Sequence, residues 1–273
     1  MTSTGRPRLL DLFCGAGGAA LGYSRAGFEV VGVDIKPQPN YPFTFHQGDA
    51  LEFLAAHGSE YDAIHASPPC QGYSIMNNLP WLRGRDYPLL ILPVLEMLEA
   101  LGKPYMIENV MGARHGAKGL AKRGIEAHGL KAGWLCGGMF GLPFYRHRLF
   151  ATNWAWFQPG HPMHQRRILA GRARDIVFPP VGKSRGQRQG MNRGLDGHLS
   201  LTPPLCESTL TNWRNGNGAQ ANGVGVGHAK GWQLAAEMMG IDWMKRAELT
   251  QAIPPVYTEF IATVLIRELP HDQ

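Results

Sequence analysis

The sequence predicts an α/β fold built on a doubly wound, mostly parallel sheet. Three observations support this fold class: apolar runs of strand length alternate with helical segments, several runs end on glycine or acidic residues, and 44% of the 273 residues are hydrophobic. Parallel strands need a crossover connection, usually a helix, and the alternation supplies one. A chain of this length and composition can bury a full core.

The first predicted elements surround a glycine-rich turn. Leu9–Phe13 and Glu29–Val33 are apolar runs of strand length, and the turn after the first leads into a helix that ends at Gly27. Asp49 follows a third strand and is placed to cap a helix over Ala50–His57.

The alternation continues through the middle of the chain. Tyr61–Ala66 and Tyr105–Ile107 are the next predicted strands, and the second of them leads to Glu108-Asn109. Between them, Leu89–Leu101 is apolar around most of its circumference, which predicts a buried helix. Arg148–Thr152 also has strand character.

The sequence becomes irregular after this strand. Glycine, proline, arginine and asparagine dominate and periodicity fades. Order returns with a predicted helix over Gln233–Met239 and a second that opens at Pro254-Pro255 and runs to Glu268, since proline suits a first turn. We therefore predict a catalytic domain over 1–152, an irregular region over 153–231, and a segment over 232–273 that returns to the first domain.

Positive charge is concentrated in one segment. Gly160–His198 carries eight basic and two acidic residues, an excess equal to the net charge of +6 of the whole chain. A basic segment on a neutral body is typical of a nucleic-acid-binding surface. The alternative is an ordinary solvated basic surface.

Cysteine usage and hydropathy limit the class of protein. The four cysteines show no CxxC spacing, the N-terminus has no apolar signal-peptide core, and no apolar run reaches the ~18 residues of a membrane span. These features predict a soluble protein of a reducing, cytoplasmic compartment, with no membrane partner.

Residues 67–72, Ser-Pro-Pro-Cys-Gln-Gly, hold the strongest chemical signal. Two prolines stiffen the chain before Cys70 and place this residue at the carboxyl end of a predicted strand, where ligands collect in open α/β sheets. Cys70 is therefore a candidate nucleophile. A buried structural cysteine is the alternative.

A second group of residues favours an adenosine-bearing ligand. The turn Cys14–Gly18 lets a ligand approach the backbone closely. Asp34 ends the second strand, where an acid can accept hydrogen bonds from a ribose, and Asp49 is placed to receive an adenine amino group. Singly, Asp34 is equally typical of a turn and Asp49 of a helix cap.

Several motifs occur together in a fixed order: DLFCGAGG, VDIKP, GDA, SPPCQGYS, ENV and YRHRLF. This ordered set resembles the cytosine-C5 DNA methyltransferases, which use S-adenosylmethionine. The resemblance runs from Leu10 to Phe150 and resumes around Leu249–Ile266. It implies a Rossmann-like, class I S-adenosylmethionine methyltransferase fold with a small irregular target-recognition region.

The resemblance also assigns roles to residues. The implied catalytic residues are Cys70 as nucleophile, Glu108 as the acid facing the cytosine, and Arg146 and Arg148 in the base pocket. The implied cofactor-binding residues are Phe13, Cys14, Gly15, Gly17, Asp34 at the ribose, Ile35, Asp49 at the adenine, Pro69 and Ala252. The expected DNA-binding residues are Gln71, Ser74, Arg83, Arg85, Arg166, Arg167, Arg172, Arg174, Arg185 and Arg188. No metal is expected.

This sequence departs from the family pattern at two places. Phe144 stands where the family usually has glutamine, and Thr250-Gln251-Ala252 replaces the usual Gly-Asn before a small residue. The second motif normally returns to the cofactor, so we expect this change to affect the role of the closing segment.

The implied activity is methyl transfer from S-adenosylmethionine to C5 of cytosine in double-stranded DNA. Addition of a thiolate to C6 of a flipped-out base makes C5 nucleophilic, which divides one difficult step into two. Two alternatives stay open: methylation of cytosine in transfer RNA, and a catalytically silent DNA-binding homologue. We expect a monomer in a restriction–modification system or an orphan or phage setting; a cognate restriction endonuclease is left open.

Overall fold

The computed structural model describes residues 5–73, 86–115, 129–142, 146–162 and 232–269. Across these residues, the chain divides into two compact units. One comprises Met1–Leu135, His147–Gln158 and Ala252–Gln273, and the other comprises Cys136–Arg146 and Pro159–Gln251. The domain boundaries at 152 and 231 stay predictions.

The first unit contains a sheet of seven strands among the described residues. They are β1 (Arg8–Leu12), β2 (Glu29–Asp34), β3 (Thr44–Gln47), β4 (Ala63–Ala66), β5 (Tyr105–Asn109), β6 (Lys131–Leu135) and β7 (Arg148–Thr152). Their order is β3-β2-β1-β4-β5-β7-β6. β1 to β5 pair in parallel, and β7 is antiparallel to both β5 and β6. The predicted α/β class with a mostly parallel sheet is confirmed.

Helices occupy the crossovers and the C-terminal part of the chain. They are α1 (Gly18–Arg25), α2 (Ala50–His57), α3 (Ile91–Leu101), α4 (Gly112–His115), α5 (Trp232–Met239), α6 (Arg246–Leu249) and α7 (Pro255–Glu268). The predicted bounds of α2 and α7 are confirmed. Within the described helices, none combines the length and the apolar character that a membrane-spanning segment requires.

The prediction for α3 needs a correction. The helix begins at Ile91, and it buries one stripe that includes Val94, Leu95 and Leu98, while Glu96 faces solvent. It is therefore amphipathic rather than buried all round. The charged residues among the leucines produce this single apolar stripe, which packs on the sheet.

The two faces of the sheet pack against different helices. On one face, Leu10 of β1 belongs to an apolar cluster that also contains residues of α2 and α3. On the other face, the ring of Tyr23 in α1 lies against His65 of β4, and Phe150 of β7 meets Tyr257 of α7 edge to face. Helices on both faces make the sheet doubly wound.

The helix α7 packs closely on α1. A Cβ atom at Gly22 would lie 2.1 Å from the carbonyl oxygen of Pro255 and 2.1 Å from Oγ1 of Thr258. The same threonine hydroxyl donates to the carbonyl of Ala19 at 2.8 Å. This contact holds the C-terminal helix against the helix that follows the glycine turn.

Candidate active site

The turn between β1 and α1 has an unusual backbone. Phe13, Gly15 and Gly17 have φ angles of 58°, 50° and 90°, and Phe13 is the one non-glycine residue with positive φ in the described part of the chain. Such a conformation is costly for a residue with a side chain, and it concentrates at ligand sites. A Cβ at Gly15 would meet nothing within 4 Å, so this side of the turn is open.

Asp34 joins the end of β2 to the glycine turn. Its Oδ2 accepts a hydrogen bond from the amide of Gly15 at 3.0 Å, and its Oδ1 accepts one from the amide of Lys36 at 2.9 Å. The next side chain, Ile35, is 66% exposed although it is aliphatic. A carboxylate beside an exposed apolar surface suits a ligand with a ribose and a flat base.

Cys14 lies in the same turn, but its side chain faces the interior. The residue is buried, and burial raises the pKa of its thiol, with Asp11 and Asp34 adding to the effect. Any contact with a ligand therefore falls to its backbone. The ring of Tyr41 borders the turn as well, because a Cβ at Gly17 would lie 3.1 Å from it.

Asp49 has a clear structural role. Its Oδ1 accepts hydrogen bonds from the amides of Leu51 at 2.8 Å and Glu52 at 3.1 Å, which caps α2. The sequence offered this cap as the alternative to an adenine contact. The cap is confirmed, and the adenine contact stays a prediction.

Cys70 follows the carboxyl end of β4 and is partly exposed. Its carbonyl accepts a hydrogen bond from the amide of Tyr73 at 3.0 Å, which closes a 3₁₀ turn over Gln71–Tyr73. The hydroxyl of Tyr73 accepts one from the amide of Ile91 at 3.0 Å, which ties this turn to the start of α3. Gln71 is exposed beside it.

Pro68 is buried, so its backbone carbonyl needs a hydrogen-bond donor. The buried side chain of Asn109 donates from Nδ2 to the carbonyl of Pro68 at 2.9 Å. We predicted no role for Asn109, although its position next to Glu108 at a strand end was a usable signal. Asn109 thus fixes the turn that carries the thiol of Cys70. Pro69 lies between the anchored Pro68 and Cys70.

Glu108 and Arg148 form an ion pair. Oε1 of Glu108 lies 3.0 Å from Nε of Arg148, and only 8% of the glutamate side chain and 18% of the arginine side chain are exposed. Glu108 is near the end of β5 and Arg148 begins β7, so the antiparallel pairing of these strands brings them together. An ion pair of this kind at strand ends is also what a purely structural role for Glu108 would produce. The Glu108–Arg148 ion pair leaves both charged groups paired at the carboxyl ends of β4 and β5, the edge of the sheet at which Cys70 lies.

Ala252 lies beside the glycine turn, whereas Arg146 belongs to the second unit. A Cβ at Gly18 would lie 3.0 Å from Cβ of Ala252 and 2.7 Å from the carbonyl oxygen of Ile253. Arg146 is buried, and its Nη2 donates to the carbonyl of Thr250 at 2.8 Å within that unit.

Most of the expected DNA contacts fall outside the described residues. These are Ser74, Arg83, Arg85, Arg166, Arg167, Arg172, Arg174, Arg185 and Arg188, and Phe144 is outside as well. The same holds for nearly all of the basic segment, so its role as a target-recognition region stays a prediction.

Comparison with known proteins agrees with this arrangement. Residues 8–152 match the family described as C-5 cytosine-specific DNA methylase, and they make up more than half of the chain. The chain belongs to this family. The resemblance seen in the motifs is confirmed, and with it the enzyme class of DNA (cytosine-5-)-methyltransferases.

Curated relatives are bacterial type II methyltransferases. M.AquIA of Picosynechococcus is 31% identical over 185 residues, which cover 54% of this chain and 71% of the relative. M.XorII of Xanthomonas oryzae is 33% identical over 139 residues, which cover 45% of this chain and 32% of the relative. The chain therefore spans most of the first relative and about a third of the second.

Two solved structures share the fold. The Dnmt2 methyltransferase of S. pombe has a TM-score of 0.53 at 16% identity and covers 96% of this chain and 99% of its own. An E. coli protein described as a DNA modification methyltransferase encoded within a prophage has a TM-score of 0.54 at 17% identity, with the same coverage. At these identities the likeness shows the methyltransferase fold alone.

Proposed function

We propose that this protein transfers a methyl group from S-adenosylmethionine to C5 of cytosine in double-stranded DNA, with Cys70 as a covalent nucleophile. The observation that carries the proposal is the position of three groups at one edge of the sheet: Cys70 follows β4, Glu108 lies near the end of the neighbouring β5, and Arg148 begins the antiparallel β7. Family membership independently supports methylation of cytosine in DNA.

The open side of the glycine turn suits S-adenosylmethionine. Gly15 has no Cβ and a positive φ, and its surroundings are open within 4 Å, so a ligand can approach the backbone of the turn closely there. Asp34 is placed for the ribose hydroxyls, and exposed Ile35 for a face of the adenine. When bound, S-adenosylmethionine supplies an electrophilic methyl group on a sulfonium.

Cys70 acts on the cytosine ring. Its thiolate forms a bond to C6, and the electrons of the C5–C6 double bond move toward N3, which leaves C5 as the nucleophilic carbon of an enamine. After methylation, loss of the C5 proton and cleavage of the C6–S bond restore the double bond. The rigid turn around Pro68, fixed by Asn109, keeps the sulfur in one direction during both steps.

Glu108 is proposed as the general acid that acts at N3 of the cytosine. A carboxyl group that donates or shares a proton there stabilises the charge that appears as the thiolate adds, an effect worth about 10²–10⁴ in rate. Nε of Arg148 lies 3.0 Å from Oε1 of that carboxyl group. The guanidinium is also proposed to donate a hydrogen bond to O2 of the cytosine. Arg146 is proposed as a further catalytic residue, as the family motif implies.

The cytosine must leave the duplex before C6 becomes accessible, which costs a few kcal/mol of stacking and pairing free energy, on the order of 2–4. We propose that the basic segment over 160–198, together with Gln71, Ser74, Arg83 and Arg85, contacts the phosphates and supplies recognition. The protein is proposed to act as a monomer.

Transfer of radiolabelled methyl groups tests the proposal. Purified protein is incubated with labelled S-adenosylmethionine and either duplex DNA of mixed sequence or transfer RNA, and modified positions are mapped by bisulfite sequencing. We expect label at cytosine C5 in DNA, and none with Cys70→Ser. Label in transfer RNA alone would replace the proposed substrate, and label in neither would contradict the proposal.

A further inference from the structure

A group of polar side chains is buried directly beneath the turn that carries Cys70. His65 of β4 is fully buried, and in the sheet register it lies opposite Asp11 of β1. The imidazole has two partners: Nδ1 lies 2.8 Å from the hydroxyl oxygen of Tyr23, and Nε2 lies 2.7 Å from Oγ of Ser67. The ring therefore bridges α1 and the first residue of the Ser-Pro-Pro-Cys turn.

The bridge has a defined chemistry because the ring is neutral. Burial lowers the pKa of His65 to about 3, so one ring nitrogen donates a hydrogen bond and the other accepts one. Oδ1 of Asp11 is 4.0 Å from Nε2, and burial raises the pKa of this carboxyl well above its usual value. The hydroxyl of Tyr23 also contacts Sδ of Met106 in β5.

Ser67 is the point at which this bridge reaches the candidate nucleophile. Its amide donates to the carbonyl of Leu12 at 3.1 Å, and its hydroxyl meets His65, so both its backbone and its side chain are fixed. Pro68 and Pro69 follow and allow little backbone rotation. The orientation of Ser67 is therefore passed along a stiff segment to Cys70.

A purely structural explanation accounts less well for this group. An apolar side chain at position 65 would fill the space between α1 and β4 without burying polar groups, which is costly. Both ring nitrogens of His65 are paired, whereas neither carboxyl oxygen of Asp11 has a hydrogen-bond partner among the described residues. Here the pairing links two functional turns, because α1 begins at the glycine turn and β4 ends at the Ser-Pro-Pro-Cys turn.

We propose that His65 is a positioning residue for methyl transfer, acting through the Ser67 hydroxyl to set the direction in which Pro68 and Pro69 present Cys70. It does not touch substrate. The proposal rests on the proposed role of Cys70 as nucleophile.

Two substitutions at position 65 separate the two hydrogen bonds. The terminal amide of glutamine reaches the place of Nε2, so His65→Gln keeps a partner for Ser67. The shorter amide of asparagine reaches the place of Nδ1, so His65→Asn keeps a partner for Tyr23 and loses Ser67. Ser67→Ala removes the same hydrogen bond from the other side.

Single-turnover methylation of duplex DNA, KM for both substrates and the Tm of each variant are measured together. We expect His65→Asn and Ser67→Ala to lower the methylation rate by about 10–100-fold, as misplacement of a reacting group does. The KM values should stay near wild type, and His65→Gln should keep most of the rate. Equal losses in His65→Gln and His65→Asn, losses that follow Tm, or an unaffected Ser67→Ala would overturn the proposal.

Alkylation of Cys70 by iodoacetamide, followed by mass spectrometry of its peptide, gives a readout without DNA or cofactor. Release of the turn should expose the thiol and speed its alkylation several-fold in His65→Asn and Ser67→Ala, but not in His65→Gln. If the wild-type protein methylates no nucleic acid, the proposed function fails while this comparison still decides whether His65 positions Cys70. Equal alkylation rates in all four proteins would then overturn the inference.

Discussion

Oε1 of Glu108 lies 3.0 Å from Nε of Arg148, across the antiparallel pair formed by β5 and β7. The two residues are 40 positions apart in the sequence and are brought together by β7, which runs antiparallel to both of its neighbours in the sheet. An ion pair at the carboxyl ends of β4 and β5 keeps a carboxylate and a guanidinium oriented before a base arrives. The proposed chemistry needs both groups.

Replacing the carboxylate tests its role as a proton carrier. Glu108→Gln keeps the size of the side chain but cannot donate an acidic proton, so we expect the methylation rate to fall by about 10²–10⁴. DNA affinity, measured by fluorescence anisotropy, should change little. Glu60→Gln is the matched control, since Glu60 is exposed and pairs with His57. Equal rates for Glu108→Gln and wild type would remove this role.

The proposed cofactor site depends on Asp34. Asp34→Ala removes the acceptor proposed for the ribose hydroxyls and the acceptor for the Gly15 amide. Hydrogen bonds to charged groups are worth about 1.5–3 kcal/mol, so we expect S-adenosylmethionine affinity to weaken by at least tenfold, on the order of 1.4 kcal/mol. Isothermal titration calorimetry measures this. Asp62 directly precedes β4, at the end of the strand away from the proposed cofactor site, so Asp62→Ala should bind S-adenosylmethionine as the wild type does. Equal affinities of Asp34→Ala and Asp62→Ala for S-adenosylmethionine would contradict the assignment.

The contact between α1 and α7 predicts a stability effect at Gly22. Alanine normally favours a helix over glycine, but here its Cβ would overlap the carbonyl oxygen of Pro255 and the Thr258 hydroxyl. We expect Gly22→Ala to lower the free energy of unfolding by about 1–3 kcal/mol in urea titrations. Gly48→Ala should have little effect, because a Cβ there meets nothing within 4 Å. A stabilised Gly22→Ala protein would mean that the two helices do not pack as described.

His65 predicts how stability depends on pH. Its pKa is lowered from 6.5 to about 3 in the folded protein, so the unfolded chain binds this proton at higher pH. The free energy of unfolding therefore falls as pH drops from about 6.5 to about 3, by at most about 1.4 kcal/mol per pH unit from this group. His65→Gln should flatten that decline in urea titrations across this range. Asp11 is present in both proteins, so its opposite contribution cancels, and parallel curves would contradict the prediction.

Local chemistry accounts for the features that the sequence predicted well. Asp49 and the helix after it follow from capping preferences, and the Pro-Pro-Cys turn follows from the stiffness of proline. The motifs that carry the family resemblance lie in such turns at strand ends.

Features that depend on tertiary pairing could not be predicted in this way. β6 lies at the edge of the sheet and has a mixed burial pattern, which gives a weak strand signal. The contact of His65 with Tyr23 joins residues 42 positions apart, and the Glu108–Arg148 pair requires the antiparallel β7. The apolar residues on either side of His65 indicated a strand, but they did not indicate that His65 would be buried with hydrogen bonds to Tyr23 and Ser67.

The most direct test of the central claim is covalent trapping. Duplex DNA in which 5-fluorocytosine replaces cytosine is incubated with the protein and S-adenosylmethionine, and the products are separated under denaturing conditions. Fluorine cannot leave C5 as a proton does, so the C6–S bond cannot break after methylation. We expect a stable protein–DNA complex whose mass spectrum places the link at Cys70, and none with Cys70→Ser. Methylation of ordinary DNA without such a complex at Cys70 would contradict the account.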